Sequence, residues 1–212
     1  MCVAETFARL VRLMDGRRWS SLRKGTCMIR SFVLFASLCL ATVAYAEEYG
    51  GVTMPSTLQV AGKKLVLNGI GMREATIFSV DVYVAGLYLE KKSSDAKAIL
   101  SANQVKRVHM VFKRDVGRDE MIDALNKAFE NNAGDKRSAL AGHMKTFAGY
   151  LHEMKEGTST TFTHVPGKGL MVAFQGESQG VIASDDFARV IFAGWLGDDV
   201  ADEDLREQLL GK

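Results

Sequence analysis

Arg73 stands two residues after Gly71 and four after Gly69, just ahead of the stretch FSVDVYVAGLYLE, and Tyr83 follows it by ten residues. An arginine at such a point offers a planar fork of N–H donors suited to a carboxylate or enolate oxygen. If Gly69 and Gly71 form a cramped turn, the backbone there can approach a cavity wall. The phenol of Tyr83 is a neutral hydrogen-bond donor that comes within reach of Arg73 if the chain doubles back. Together the two predict a site for an oxyanion head group. A plainer reading stands beside this one: Arg73 paired with Asp81 or Glu74, and Tyr83 a packed aromatic. Strand alternation places Asp81, Tyr83, Ala85 and Leu87 on one face and Val80, Val82, Val84 and Tyr88 on the other.

Other chemical signals carry less. Gly176-Glu177-Ser178-Gln179-Gly180 fits the G-x-S-x-G pattern, but a nucleophile elbow needs a strand before it and a helix directly after it. VIAS intervenes, so a glycine-rich hairpin is expected instead. Gly69-x-Gly71 lacks the third glycine of a dinucleotide fingerprint and leads into a strand, which removes the helix N-terminus that would hold pyrophosphate. The histidines 109, 143, 152 and 164 show no metal-ligand spacing, and His143 and His152 fall on opposite sides of an expected helix. Neither a metal nor a cofactor is expected. The Lys91-Lys92 and Lys106-Arg107 pairs read as solvated strand ends.

The elements that must position Arg73 and Tyr83 begin after a leader. Met28-Ile29-Arg30, the apolar run at 31–43 and Ala44-Tyr45-Ala46 have the layout of a secretory signal peptide, with cleavage after Ala46. Residues 1–27 extend beyond an ordinary n-region and suggest an upstream start codon. Leu38 before Cys39 argues against a lipoprotein, and the apolar run is shorter than the roughly 20 residues of a membrane span. Seven of the 27 Lys+Arg but only two of the 25 Asp+Glu precede Glu47, so the remaining 166 residues carry 20 basic and 23 acidic side chains, a net charge of −3. No basic face is concentrated there, which speaks against nucleic acid as a partner. All three cysteines (Cys2, Cys27, Cys39) lie in the leader, so a mature periplasmic or secreted chain of one domain, 47–212, would stand on its core without disulfides or a transmembrane segment.

Within 47–212, TLQVAGKKLVLNG reads as two strands about Ala61-Gly62, followed by strands in FSVDVYVAGLYLE and VKRVHMVFK. After Gly117 the residues Met121, Ile122, Leu125 and Phe129 recur with helical period, and a second stripe of Leu140, Met144, Phe147, Leu151 and Met154 predicts a helix from about Lys136 to Met154. STTFTHVPGKGLMVAFQG forms a hairpin about Pro166-Gly167. SDDFARVIFAGWLG is a helix capped by Ser184 and ended by Gly197, and a short helix spans about Glu203 to Leu210. The class is α+β, an antiparallel sheet covered on one face by helices.

Gly69-x-Gly71-x-Arg73 with VDVYVAGLYLE, and the closing FARVIFAGWLGDDVADEDLREQLLG, resemble the chalcone isomerase family. The resemblance runs from about Gly51 to Gly211 and implies an open-faced β-sandwich with a ligand cleft between the sheet and the helices. It also implies one of two activities. True isomerases of the family close a chalcone by intramolecular addition, their arginine stabilising developing charge, and Arg73 matches that position. Their remaining polar residues fall at Tyr83, near Glu120, near Lys127 and near Gly194, so most of that set is missing. Fatty-acid-binding members pair the arginine with a tyrosine in a DVY strand start, as in Asp81-Val82-Tyr83. The expected function is therefore binding of a small amphipathic acid or lipid, such as a fatty acid, through Arg73 and Tyr83, without catalysis. An intramolecular lyase using Arg73 on an unknown substrate is the alternative, and an interaction module with a closed cleft is a third.

Overall fold

The computed structural model describes residues 46–75 and 80–212; the expected leader, apart from Ala46, lies outside them. Strands β1 (Ala46–Tyr49) and β2 (Val52–Pro55) form a separate two-stranded ribbon. Then come β3 (Thr57–Val60), β4 (Lys63–Ala75), β5 (Val80–Leu89), helix α1 (Ala96–Ser101), β6 (Lys106–Phe112), α2 (Arg118–Asn132) and α3 (Arg137–Ala148). Strands β7 (Ser159–Val165), β8 (Gly169–Phe174) and β9 (Glu177–Ile182) precede α4 (Asp185–Leu196) and α5 (Glu203–Leu209). Strands β3 to β9 pair antiparallel in chain order as one seven-stranded sheet. Helices cover one face, giving the α+β arrangement expected.

The burial of β6 alternates strictly, as a strand with one face on a core requires. Helix α4 starts where Ser184 accepts from the Phe187 amide at 3.1 Å, and its Phe187, Ile191 and Trp195 turn inward. The main core lies between this sheet face and the helices, around Phe112, Phe147, Phe162, Phe187 and Phe192. A smaller core on the other face joins Met54 of the ribbon to Leu65, Leu67, Val84 and Tyr88.

Four local expectations are corrected. Gly69 and Gly71 lie within strand β4 and form no turn. The second long helix ends at Ala148; Leu151 and Met154 are buried beyond it, where Met154 and Val116 exchange backbone hydrogen bonds at 2.8 and 2.9 Å. A bridging backbone cannot also continue a helix, so His152 is not helical. Lys106 is no solvated strand end but fully buried, its ammonium donating to carbonyls at the end of α1. Finally, alternation along β5 is broken at Val82, as described below. Helix α1 and the β1–β2 ribbon are elements that the sequence pattern had not announced, while β9 is the second strand of the expected glycine-rich hairpin.

Candidate functional site

Arg73 and Tyr83 are directly opposite one another on β4 and β5. Two bulges bring this about. Asn68 is an extra residue between the pairs Leu67↔Tyr88 and Gly69↔Leu87, and it reverses the facing of the rest of β4. Leu65 and Leu67 therefore face the ribbon while Gly69, Gly71 and Arg73 face the helices. The Asn68 amide holds the kink: Nδ2 donates to Leu209 O at 2.8 Å and to Ser93 O at 3.0 Å, and Oδ1 accepts from Ser93 N at 2.8 Å. On β5, Val82 is the second extra residue, between Arg73↔Tyr83 and Glu74↔Asp81. Val82 and Tyr83 consequently both line the helix side, and Asp81 is exposed and does not share Tyr83's face.

The two glycines serve helix α5. A Cβ on Gly69 would lie 2.1 Å from Gln208 O, and one on Gly71 would lie 2.2 Å from the Gln208 Oε1. Their absence of side chain lets α5 lie directly on β4. Gln208 then satisfies the strand's open edge, accepting from the Met72 amide at 3.0 Å and donating to Tyr49 Oη at 3.1 Å. Docking α5 in this way also sets its N-cap, Asp202, beside Arg73. Asp202 Oδ1 accepts from the Leu205 amide at 2.9 Å, and Oδ2 accepts from Arg73 Nη1 at 2.9 Å. Arg73 Nη1 also donates to Glu74 O. The partner of Arg73 is thus Asp202, and neither Asp81 nor the Glu74 carboxylate. Sequence reasoning missed Asp202, whose one local signal was its position as a cap before Glu203.

Arg73, Tyr83 and Asp202 edge a cavity of about 230 Å³ between the sheet and helices α2, α4 and α5. Its wall is mostly apolar, with Met110 and Phe112 from β6, Phe162 from β7, Leu125 from α2 and Ile191 from α4. Tyr83 Oη accepts from Trp195 Nε1 at 3.1 Å, which leaves the hydroxyl proton for an acceptor in the cavity. Burial pushes the Tyr83 pKa up, more than the Trp195 hydrogen bond and the nearby Arg73 guanidinium lower it, so the phenol is neutral. The other charged lining residues, Arg114 and Glu120, pair with each other at 2.7 Å. Of the positions matching the isomerases' polar set, Tyr83, Glu120 and Gly194 line the cavity and Lys127 does not. The arrangement can bind an apolar body and hydrogen-bond its polar end.

Among the described residues, no group of three or more His, Cys, Asp or Glu could hold a metal ion, and no helix is long and apolar enough to cross a membrane. His164 is buried, with Nε2 bonded to Asp185 at 3.0 Å. Ser178 lies on β9 after a hairpin turn at Gln175-Gly176, without the helix that an elbow requires.

A family model described as chalcone isomerase-like matches residues 46–211. The chain is 22% identical over 205 residues to Fatty-acid-binding protein 1 of Arabidopsis thaliana, covering 83% of this chain and 72% of that one. The crystal structure of an Arabidopsis thaliana fatty-acid-binding protein aligns with a TM-score of 0.63 at 16% identity, over 78% of this chain and 96% of its own.

Proposed function

The chain belongs to the chalcone isomerase-like family, and from that premise we propose that it is a non-catalytic, exported member that binds a small amphipathic acid. The observation that carries this reading is the cavity itself: an apolar void with Arg73 and a spare Tyr83 proton at its polar edge. A ligand tail entering it gains about 0.8 kcal/mol for each methylene buried. The volume is below the roughly 300 Å³ at which pockets for drug-sized ligands begin, which favours a medium-length chain. The head group takes a hydrogen bond from Tyr83 and the guanidinium fork of Arg73. A relative named for fatty-acid binding supports the same chemistry. Polar groups for holding a reacting carbonyl and its water are replaced by the hydrophobic wall and by an Arg114–Glu120 pair, which favours binding over catalysis.

Titration with decanoate tests the site. Wild type binds it; Arg73→Ala loses affinity by about tenfold or more and Tyr83→Phe by several-fold, as expected for one charged and one neutral hydrogen bond. Arg73→Ala also lowers the melting temperature, because it leaves the mostly buried Asp202 carboxylate without its cation. Equal affinity in all three proteins would remove Arg73 and Tyr83 from the site.

A further inference from the structure

Arg73 does not wait in the cavity as a free cation. Its Nη1 is 2.9 Å from Asp202 Oδ2, and both side chains are mostly buried, with 22% and 15% of their surfaces exposed. The second arginine on the lining, Arg114, is likewise matched by Glu120 at 2.7 Å. Before any ligand enters, the charged groups around the cavity already cancel as two cations and two anions. A carboxylate arriving there makes a third anion for two guanidinium groups. Tyr83 differs from these four: it is neutral, its oxygen accepts from Trp195, and its proton is uncommitted toward the cavity.

We propose that Asp202 is an internal competitor with the ligand's head group for Arg73, a specificity-determining residue that weakens the hold on a carboxylate relative to an uncharged acceptor bound at Tyr83. This rests on the cavity being the binding site. Two features make Asp202 suited to the role. It is anchored independently of Arg73, because its other oxygen caps α5 through the Leu205 amide at 2.9 Å. The helix that carries it is seated on β4 further along, where Gln208 and Leu209 lie against side-chain-free Gly69 and Leu205 and Gln208 against Gly71, which fixes the α5 backbone that Asp202 caps. A ligand carboxylate therefore has to displace a fixed anion from Arg73 or accept a site with no spare positive charge. A fatty alcohol or ester needs neither. The polar edge thereby discriminates by charge while the apolar wall sets overall affinity.

Two variants separate the cap from the charge. Asp202→Asn and Asp202→Ser both retain an N-cap acceptor, yet remove the negative charge from Arg73. Titrations of each protein with decanoate and with 1-decanol report the ratio of acid to alcohol affinity. The expected result is a rise of about tenfold in that ratio in both variants, the size of a partly buried ion pair released for the ligand, with decanol affinity unchanged within about twofold. An unchanged or lower ratio in both variants overturns the role of Asp202, even where decanoate binds wild type. If neither amphiphile binds any of the three proteins, the cavity is not the site and both readings fall together.

Discussion

Lys106 places an ammonium where no water reaches it, with 0% of the residue exposed. Its Nζ donates to Ile99 O at 2.7 Å, Ala102 O at 3.2 Å and Leu100 O at 3.3 Å, so it closes the carbonyl end of α1 as a cation at a helix C-terminus should. Burial pushes its pKa down to about 8 from 10.5, with the Arg189 charge adding to the effect. The sign of the pH dependence follows. Between about pH 8 and 10.5 the unfolded chain holds a proton that the folded one has released, so this residue's contribution to stability rises with pH in that window and is constant below it. Lys106→Met removes the rise. Urea unfolding of both proteins at pH 7 and pH 10 should show wild type gaining on the variant by on the order of 2 kcal/mol; a difference independent of pH would show that the ammonium bears no burial cost. Lys106 and Arg73 differ in what satisfies them. Both are cations on strands, but Lys106 is satisfied by carbonyls and Arg73 by a carboxylate that a ligand can contest.

Among the elements, α5 governs the site. A seven-residue helix has little stability of its own and depends on its seat on β4, which Gly69 and Gly71 make possible and the bulge at Asn68 turns toward it. Gly69→Ala drives a methyl against the Gln208 carbonyl, and since the obstacle is backbone, the helix has to move. A loss of about 2 kcal/mol is expected, seen as a fall in melting temperature of roughly 4 to 8 °C for a chain of this size. The same change at Gly142, exposed within α3 with nothing near its missing Cβ, should raise stability slightly. Matching losses at both positions would mean that contact with α5 is not what the glycine at 69 serves. The bulge at Val82 works similarly on β5: had the strand alternated regularly through Val82, Asp81 would share Tyr83's face and the competitor for Arg73 would be a strand neighbour.

At the scale of the molecule, export is proposed from residues 1–46, and strand β1 makes it testable. Cleavage after Ala46 leaves Glu47, Glu48 and Tyr49 paired with Met54, Thr53 and Val52, so the ribbon and Tyr49's bond to Gln208 survive processing. Mass spectrometry of protein recovered from outside the cytoplasm should give a chain beginning at Glu47; one beginning at Met1 or Met28 would contradict the cleavage. What the sequence determined by itself was the class and order of most elements. Alternation in β6, the Ser184 cap and the inward stripe of α4 are local patterns that report which side of a segment is apolar, and they sufficed for an antiparallel sheet under helices. That Arg73 and Tyr83 come together was legible only as a condition, that the chain double back between them; the sequence placed Arg73 in a turn, and its place on β4 opposite Tyr83 is a finding of the fold. The tertiary structure alone decided that Asp202, 129 residues away, closes on Arg73, that two bulges choose the face on which they meet, and that Lys106 is buried. One extra residue in a strand reverses the facing of everything after it while leaving the composition of the segment unchanged, and a contact across the fold has no period along the chain by which it could be read.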